Sequence, residues 1–143
     1  MTRGSGDHAV VERHLAALDS ALTHLRGWTG TSLEELRTDQ RLQWAVLHGL
    51  QVCAQNVLDI ATHLAAAAGR DAADYSSAID RLAELGVLTP AFASSLRPLA
   101  GFRNVLVHGY LGVDLAIVHG VLTSKLEDFA RFAEAVRSHL RAS

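Results

Sequence analysis

Apolar residues recur along most of this chain in alternating steps of four and three, a spacing that only a helix turns into a continuous stripe. Val11, Leu15, Leu18, Leu22 and Leu25 follow it, and so do Val46, Leu50, Cys53, Val57, Ile60 and Leu64. At ~100° per residue such steps return to one face of an α-helix, which then needs an apolar partner. The first stripe predicts a helix from His8 to Trp28, broken by Gly27 and Gly30. Ser32 with Glu35 has the spacing of a capping box, so a second helix begins there or near Asp39 and runs to Gly69, a left-handed stop. It is the longest and most apolar segment, which places it at the centre.

Tyr75 to Leu85 reads as a shorter helix stopped by Gly86, with Val87 and Leu88 folding back over its end. Thr89-Pro90 is an N-cap followed by an N1 proline. Pro98 cannot sit in an unbroken helix without loss of a hydrogen bond, so the segment from Pro90 to about His108 is two pieces or one kinked helix. Asp114 is a further N-cap, and Leu115, Val118, Leu122, Leu126, Phe129, Ala133, Val136 and Leu140 predict one long final helix. Connections are short, and no repeat or low-complexity tract interrupts them. The expected fold is all-α, an up-and-down bundle of four main helices plus a short one, forming a single domain over residues 1–143 with residues 1–7 flexible.

With 143 residues, 49% of them apolar, such a bundle can bury a core without disulfides or metal. Cys53 is the single cysteine and falls on an apolar stripe, which reads as core packing and suits a reducing cytoplasm. The first residues lack an apolar signal region and no apolar run approaches the ~20 residues of a membrane span, so neither export nor a membrane is expected. A formal charge of −2 provides no global basic field, and any contact with RNA must be local.

The candidate site is Arg103-Asn104-Val105-Leu106-Val107-His108-Gly109-Tyr110. Asn104 and His108 are four apart and share a helix face, whereas Arg103 and His108 are separated by about 140°. Arg103 and Tyr110 are two turns apart and share a face if the helix persists through Gly109. Arginine is always charged and matches phosphate oxygens, while histidine takes or gives a proton near neutrality. Together they suit cleavage of an RNA phosphodiester by its own 2′-hydroxyl with no metal, His108 as general base or acid and Arg103 stabilising the transition-state charge. The plainer reading is a surface arginine in an ion pair and a helix-terminal histidine favoured by the dipole.

At these residues the chain resembles the HepT-like branch of the HEPN ribonuclease toxins, whose signature of Arg, four residues, His, any residue and Tyr falls on Arg103, His108 and Tyr110. Similar blocks include Leu99-Ala100-Gly101-Phe102, Val113-Asp114, Leu82 to Leu88, and Leu58 to Leu64, so the likeness spans roughly Trp44 to Leu140. Many relatives carry an acidic residue at the position of Gly109. The resemblance implies a homodimer with two motifs facing across a cleft to form a composite, metal-independent RNA-cleaving site, Asn104 supporting. It also implies a partner, an MntA-like minimal nucleotidyltransferase antitoxin that transfers AMP onto Tyr110, as in a type VII toxin–antitoxin system. AMP there adds negative phosphate and bulk beside Arg103. The alternative is a non-catalytic HEPN binding module that partners a nucleotidyltransferase and binds nucleotide or RNA.

His8, His14, His24, His48, His63, His119 and His139 form no His-Glu-x-x-His motif, and a metal site is not expected. Most read as surface or packing residues, although His48 and His63 lie on the central helix within reach of the cleft. Asp59, in an apolar stretch, either points to solvent or pairs with a cation. Trp28 and Trp44 read as core or dimer-interface residues. Arg131, Arg137 and Arg141, interspersed with Glu127, Asp128 and Glu134, read as a solvated mixed face.

Overall fold

The computed structural model of the chain describes residues 3–142. Eight α-helices and one 3-10 turn make up the regular structure of these residues, and none of them forms a strand. The helices are α1 (Arg3–Arg26), α2 (Leu33–Thr38), α3 (Gln40–Ala67), α4 (Tyr75–Glu84), α5 (Pro90–Leu96), α6 (Leu99–Val107), α7 (Leu115–Ser124) and α8 (Leu126–Ala142). The all-α bundle is as the periodicity predicts, in more pieces than four plus one. α1 starts ahead of His8, at Arg3. The expected flexible lead begins with Met1 and Thr2, which lie outside the described residues.

Both starts foreseen for the second helix exist. Ser32 caps α2 by accepting the Glu35 N–H at 3.0 Å while Glu35 Oε1 accepts the Ser32 N–H at 3.0 Å. Asp39 ends α2 by donating its N–H to the Glu35 carbonyl, and starts α3 by accepting the Leu42 N–H at 3.1 Å. Gly69 (φ 73°) and Gly86 (φ 79°) are left-handed stops, and after Gly86 the Val87 N–H reaches back to the Leu82 carbonyl at 2.9 Å. Val87 and Leu88 are buried there. Thr89 caps α5 with Pro90 in the first turn, and Asp114 caps α7. The proline-bearing segment resolves into two pieces: Pro98 is the N-cap of α6, where its missing N–H costs no helical bond.

The long final helix is corrected, because it breaks at Lys125 (φ −120°, ψ −2°) into α7 and α8. Thr123 Oγ1 donates to the His119 carbonyl at 2.9 Å and Ser124 Oγ to the Gly120 carbonyl at 2.6 Å. Hydroxyls bonded back to the preceding turn bend helices. Leu122 and Leu126 are buried on both sides of the break, so the stripe runs on where the backbone does not.

α3 is central as predicted, packing on α1, α4, α6 and α8. Its Val46, Leu50, Cys53, Val57 and Ile60 are completely buried, each large aliphatic side chain contributing about 1.5–3 kcal/mol. They join the α1 stripe, Ile79 and Leu82 of α4, and Phe132 and Val136 of α8 in one apolar cluster. Trp28 packs on this cluster, but Trp44 is 69% exposed, which removes it from the core. Two residues before Val46, it faces away from the buried stripe at ~100° per residue. Among the described residues no helix is long and apolar enough to cross a membrane.

Candidate active site

α6 carries Arg103 and Asn104, and it ends at Val107 with His108 as its C-cap. The His108 N–H donates to the Asn104 carbonyl at 3.1 Å, so the last helical bond ties the histidine's backbone to Asn104. The imidazole is exposed. Asn104 also accepts, through Oδ1, a bond from Arg103 Nη1 at 3.1 Å. One asparagine therefore touches both members of the predicted pair, by its side chain and by its backbone.

Gly109–Leu111 is a 3-10 turn, closed by Gly112 at φ 114°. The α-helical repeat that would align Tyr110 with Arg103 therefore stops short of Tyr110. The expected facing of Tyr110 into the cleft concerns a side chain that lies outside the described residues. Gly109 itself has no positive φ, and a Cβ there meets Val113 Cγ2 at 3.1 Å. The conformational demand for glycine falls at Gly112 instead, which spacing alone does not reveal.

Arg103 is half-buried and reaches across to α3, donating Nε–H to Gln55 Oε1 at 2.7 Å. Gln55 Nε2 in turn donates to Asp59 Oδ1 at 2.8 Å and to the Tyr75 hydroxyl at 3.2 Å. The Tyr75 ring lies 5.8 Å from the guanidinium carbon, within cation–π range. Among the described residues Asp59 pairs directly with no cation: it accepts an amide that in turn holds one. Gln55 and Tyr75 were not among the predicted residues. The available signal was the four-residue spacing of Gln55 and Asp59 on an otherwise apolar helix.

The other candidates fall elsewhere. His48 lines a groove between α1 and α3 with Ser20, Trp28 and Val52. His63 is half-buried on α3. Packing roles account for His14, which bonds Asn56 Oδ1 at 2.7 Å, and for His119, which bonds the Thr31 carbonyl at 2.7 Å. Arg137 pairs with Asp19 at 2.6 Å, Arg141 with Glu134 at 3.2 Å, and Arg131 stacks on Phe92 at 4.1 Å. Of the solvated mixed face expected here, only the Arg141–Glu134 pair lies within α8, while Arg137 and Arg131 tie α8 to α1 and α5. Burial pushes the Cys53 thiol up to about 12, which keeps it protonated and unreactive. Among the described residues no group of three His, Cys, Asp or Glu side chains is arranged to hold a metal ion.

The family profile described as "Ribonuclease HepT-like" matches residues 18–136. The chain is 30% identical over 105 residues to the mRNA nuclease HepT of Shewanella oneidensis, covering 73% of this chain and 79% of that protein. It is 26% identical over 133 residues to the tRNA nuclease HepT of Aphanizomenon flos-aquae, covering 92% and 90%. In fold it is similar to the tri-AMPylated Shewanella oneidensis HEPN toxin solved in complex with MNT antitoxin. That match has a TM-score of 0.79 at 24% identity and covers 90% of this chain and 97% of the toxin. This chain belongs to the ribonuclease HepT-like family.

Proposed function

We propose that the chain is the toxin of a type VII toxin–antitoxin pair, an endoribonuclease that cleaves cellular RNA through Arg103 and His108. The observation that carries it is the placement of both residues on one short helix, Arg103 at its middle with the guanidinium tethered by Nε and His108 at its C-cap with the imidazole exposed. The nuclease names of the relatives favour cleavage over the binding-module alternative.

A base removes the proton of the RNA 2′-hydroxyl and the oxygen attacks the adjacent phosphorus. The bond to the 5′-oxygen breaks, and that oxygen takes a proton from an acid. His108 serves as base or acid, Arg103 stabilises the added negative charge, and Asn104 steadies the guanidinium. A homodimer brings a second copy of the pair to the cleft, which makes a composite site that works without metal. The partner is an MntA-like nucleotidyltransferase antitoxin, and AMP transferred to Tyr110 places a phosphodiester where the RNA backbone would compete for Arg103. The toxin–antitoxin complex among its structural neighbours supports this partnership.

The test uses chain purified alone or after co-expression with a minimal nucleotidyltransferase. The unmodified chain cleaves RNA in the presence of EDTA, and Arg103→Ala or His108→Ala lowers the rate roughly a hundredfold or more. The co-expressed chain gains AMP mass, which Tyr110→Phe abolishes. Equal cleavage by the alanine variants overturns the catalytic assignment, and AMP retained on the phenylalanine variant removes Tyr110 from the switch.

A further inference from the structure

Arg103 is held by a polar chain whose direction is fixed at both ends. Its Nε–H is purely a donor, and Asp59 Oδ1 accepts at the other end. Gln55 lies between them, Oε1 at 2.7 Å from Arg103 Nε and Nε2 at 2.8 Å from Asp59 Oδ1. An amide between a pure donor and an acceptor has one orientation that satisfies both. The flipped amide would set N–H against N–H and oxygen against carboxylate. Tyr75 adds a second acceptor for the same Nε2 at 3.2 Å.

This chain joins three helices, Gln55 and Asp59 on α3, Tyr75 on α4 and Arg103 on α6. Other polar residues of α3 serve other ends. Thr62 Oγ1 donates to the Leu58 carbonyl of its own helix, and Asn56, donating to the Val52 carbonyl, ties α3 to His14 of α1. Gln55 reaches from the central helix to the one arginine of α6.

We propose that Gln55 and Asp59, backed by Tyr75, are positioning residues that pre-order the Arg103 guanidinium for a phosphate of RNA; this rests on Arg103 acting at the cleaved phosphodiester. An unanchored arginine must surrender rotamer freedom as the transition state forms. One already held by Nε presents its Nη groups without that cost. The role is one of orientation, so it acts on kcat more than on KM.

The experiment compares Gln55→Ala, Gln55→Glu, Asp59→Asn and the double exchange Gln55→Glu/Asp59→Asn, in RNA cleavage and in thermal unfolding. Asp59→Asn lets the Gln55 amide invert, and Gln55→Glu sets two carboxylates one turn apart. The double exchange puts an acceptor at residue 55 for Arg103 and an amide donor at residue 59 to hold it, restoring the polarity of the chain. Loss of a hydrogen bond to a charged group predicts that Gln55→Ala lowers kcat roughly tenfold with KM little changed, each other single change doing less. The double exchange returns kcat to within about threefold of the wild type, which a merely structural role does not explain. As a readout independent of activity, the 15N-detected Arg103 Nε–H exchanges slowly with solvent in the wild type and the double exchange, and rapidly in Gln55→Ala.

Wild-type kcat in folded Gln55→Ala, or a double exchange no better than its worse parent, overturns the proposal while Arg103→Ala still abolishes cleavage. Full activity in Arg103→Ala instead defeats the assignment of Arg103 to the reaction, and the exchange rate still reports whether Gln55 orients it. Should Gln55→Ala fail to fold, the double exchange against Asp59→Asn decides.

Discussion

α3 and α6 meet at Gln55 and Arg103 but are held in place by different means. α3 buries ten of its 28 residues, while α6 buries Leu106 among nine. Val105 of α6 is 46% exposed, and Leu111 beyond it 76%. The difference separates two jobs. A helix enclosed on several sides is located by packing, which tolerates little change; a helix at the rim packs by one face, here Leu99, Phe102 and Leu106, and polar contacts such as that of Arg103 add to it, which leaves its other side chains available to a ligand. The segment bearing the candidate site therefore borrows its precision from the core helix through Gln55.

The contrast breaks first, and most severely, at Leu50. It is completely buried, and Leu50→Ala is expected to cost about 2–5 kcal/mol in urea denaturation, whereas Val105→Ala stays within about 0.5 kcal/mol. Equal losses would mean that α6 is packed as tightly as α3. A smaller effect is expected where the motif's turn is closed. Gly112 at φ 114° holds a conformation that L residues rarely adopt, so Gly112→Ala is expected to cost about 1–3 kcal/mol or to displace the turn. A Tm shift together with slower RNA cleavage is the outcome, and an unchanged Tm would show the turn to be free to relax.

The smallest effect is electrostatic and lies away from both helices, at the start of α4. Hydrogen bonds from the Ser77 backbone N–H, and then from its side chain, hold the Asp74 carboxyl below its ordinary value of 3.8. The folded chain thus binds this proton less readily than the unfolded one, and the stabilisation is fully present above the ordinary aspartate range. It is lost as the pH falls through the lower folded value. Asp74→Asn keeps an N-cap oxygen without the charge. Its stability deficit is expected to shrink in denaturation curves taken at successively lower pH below 3.8, and a deficit constant with pH would assign the effect to geometry alone.

Much of this molecule is legible in its residue order because a helix is a local object. Stripe, cap and stop lie within a turn or two of one another, and Ser32 with Glu35, Asp39, Gly69, Gly86, Thr89-Pro90 and Asp114 mark boundaries that the structure keeps. The Arg103–His108 spacing belongs to the same kind of information. The break at Lys125 escaped because the apolar period continues through it, Leu122 and Leu126 being buried on either side. Of the two places open to Trp44, core or dimer interface, its exposure removes the core, because large apolar surface predicts burial on average and not the face on which a given residue falls.

By itself, then, the sequence determined the helices, their apolar faces, most of their ends and the segment that carries the candidate chemistry. Tertiary structure alone decided what holds that segment: Gln55 lies 48 residues from Arg103, and Tyr75 lies 20 from Gln55. No local period links such positions. Their meeting follows from how three separately legible helices pack, since burying their apolar stripes together brings the polar residues beside those stripes into reach of one another.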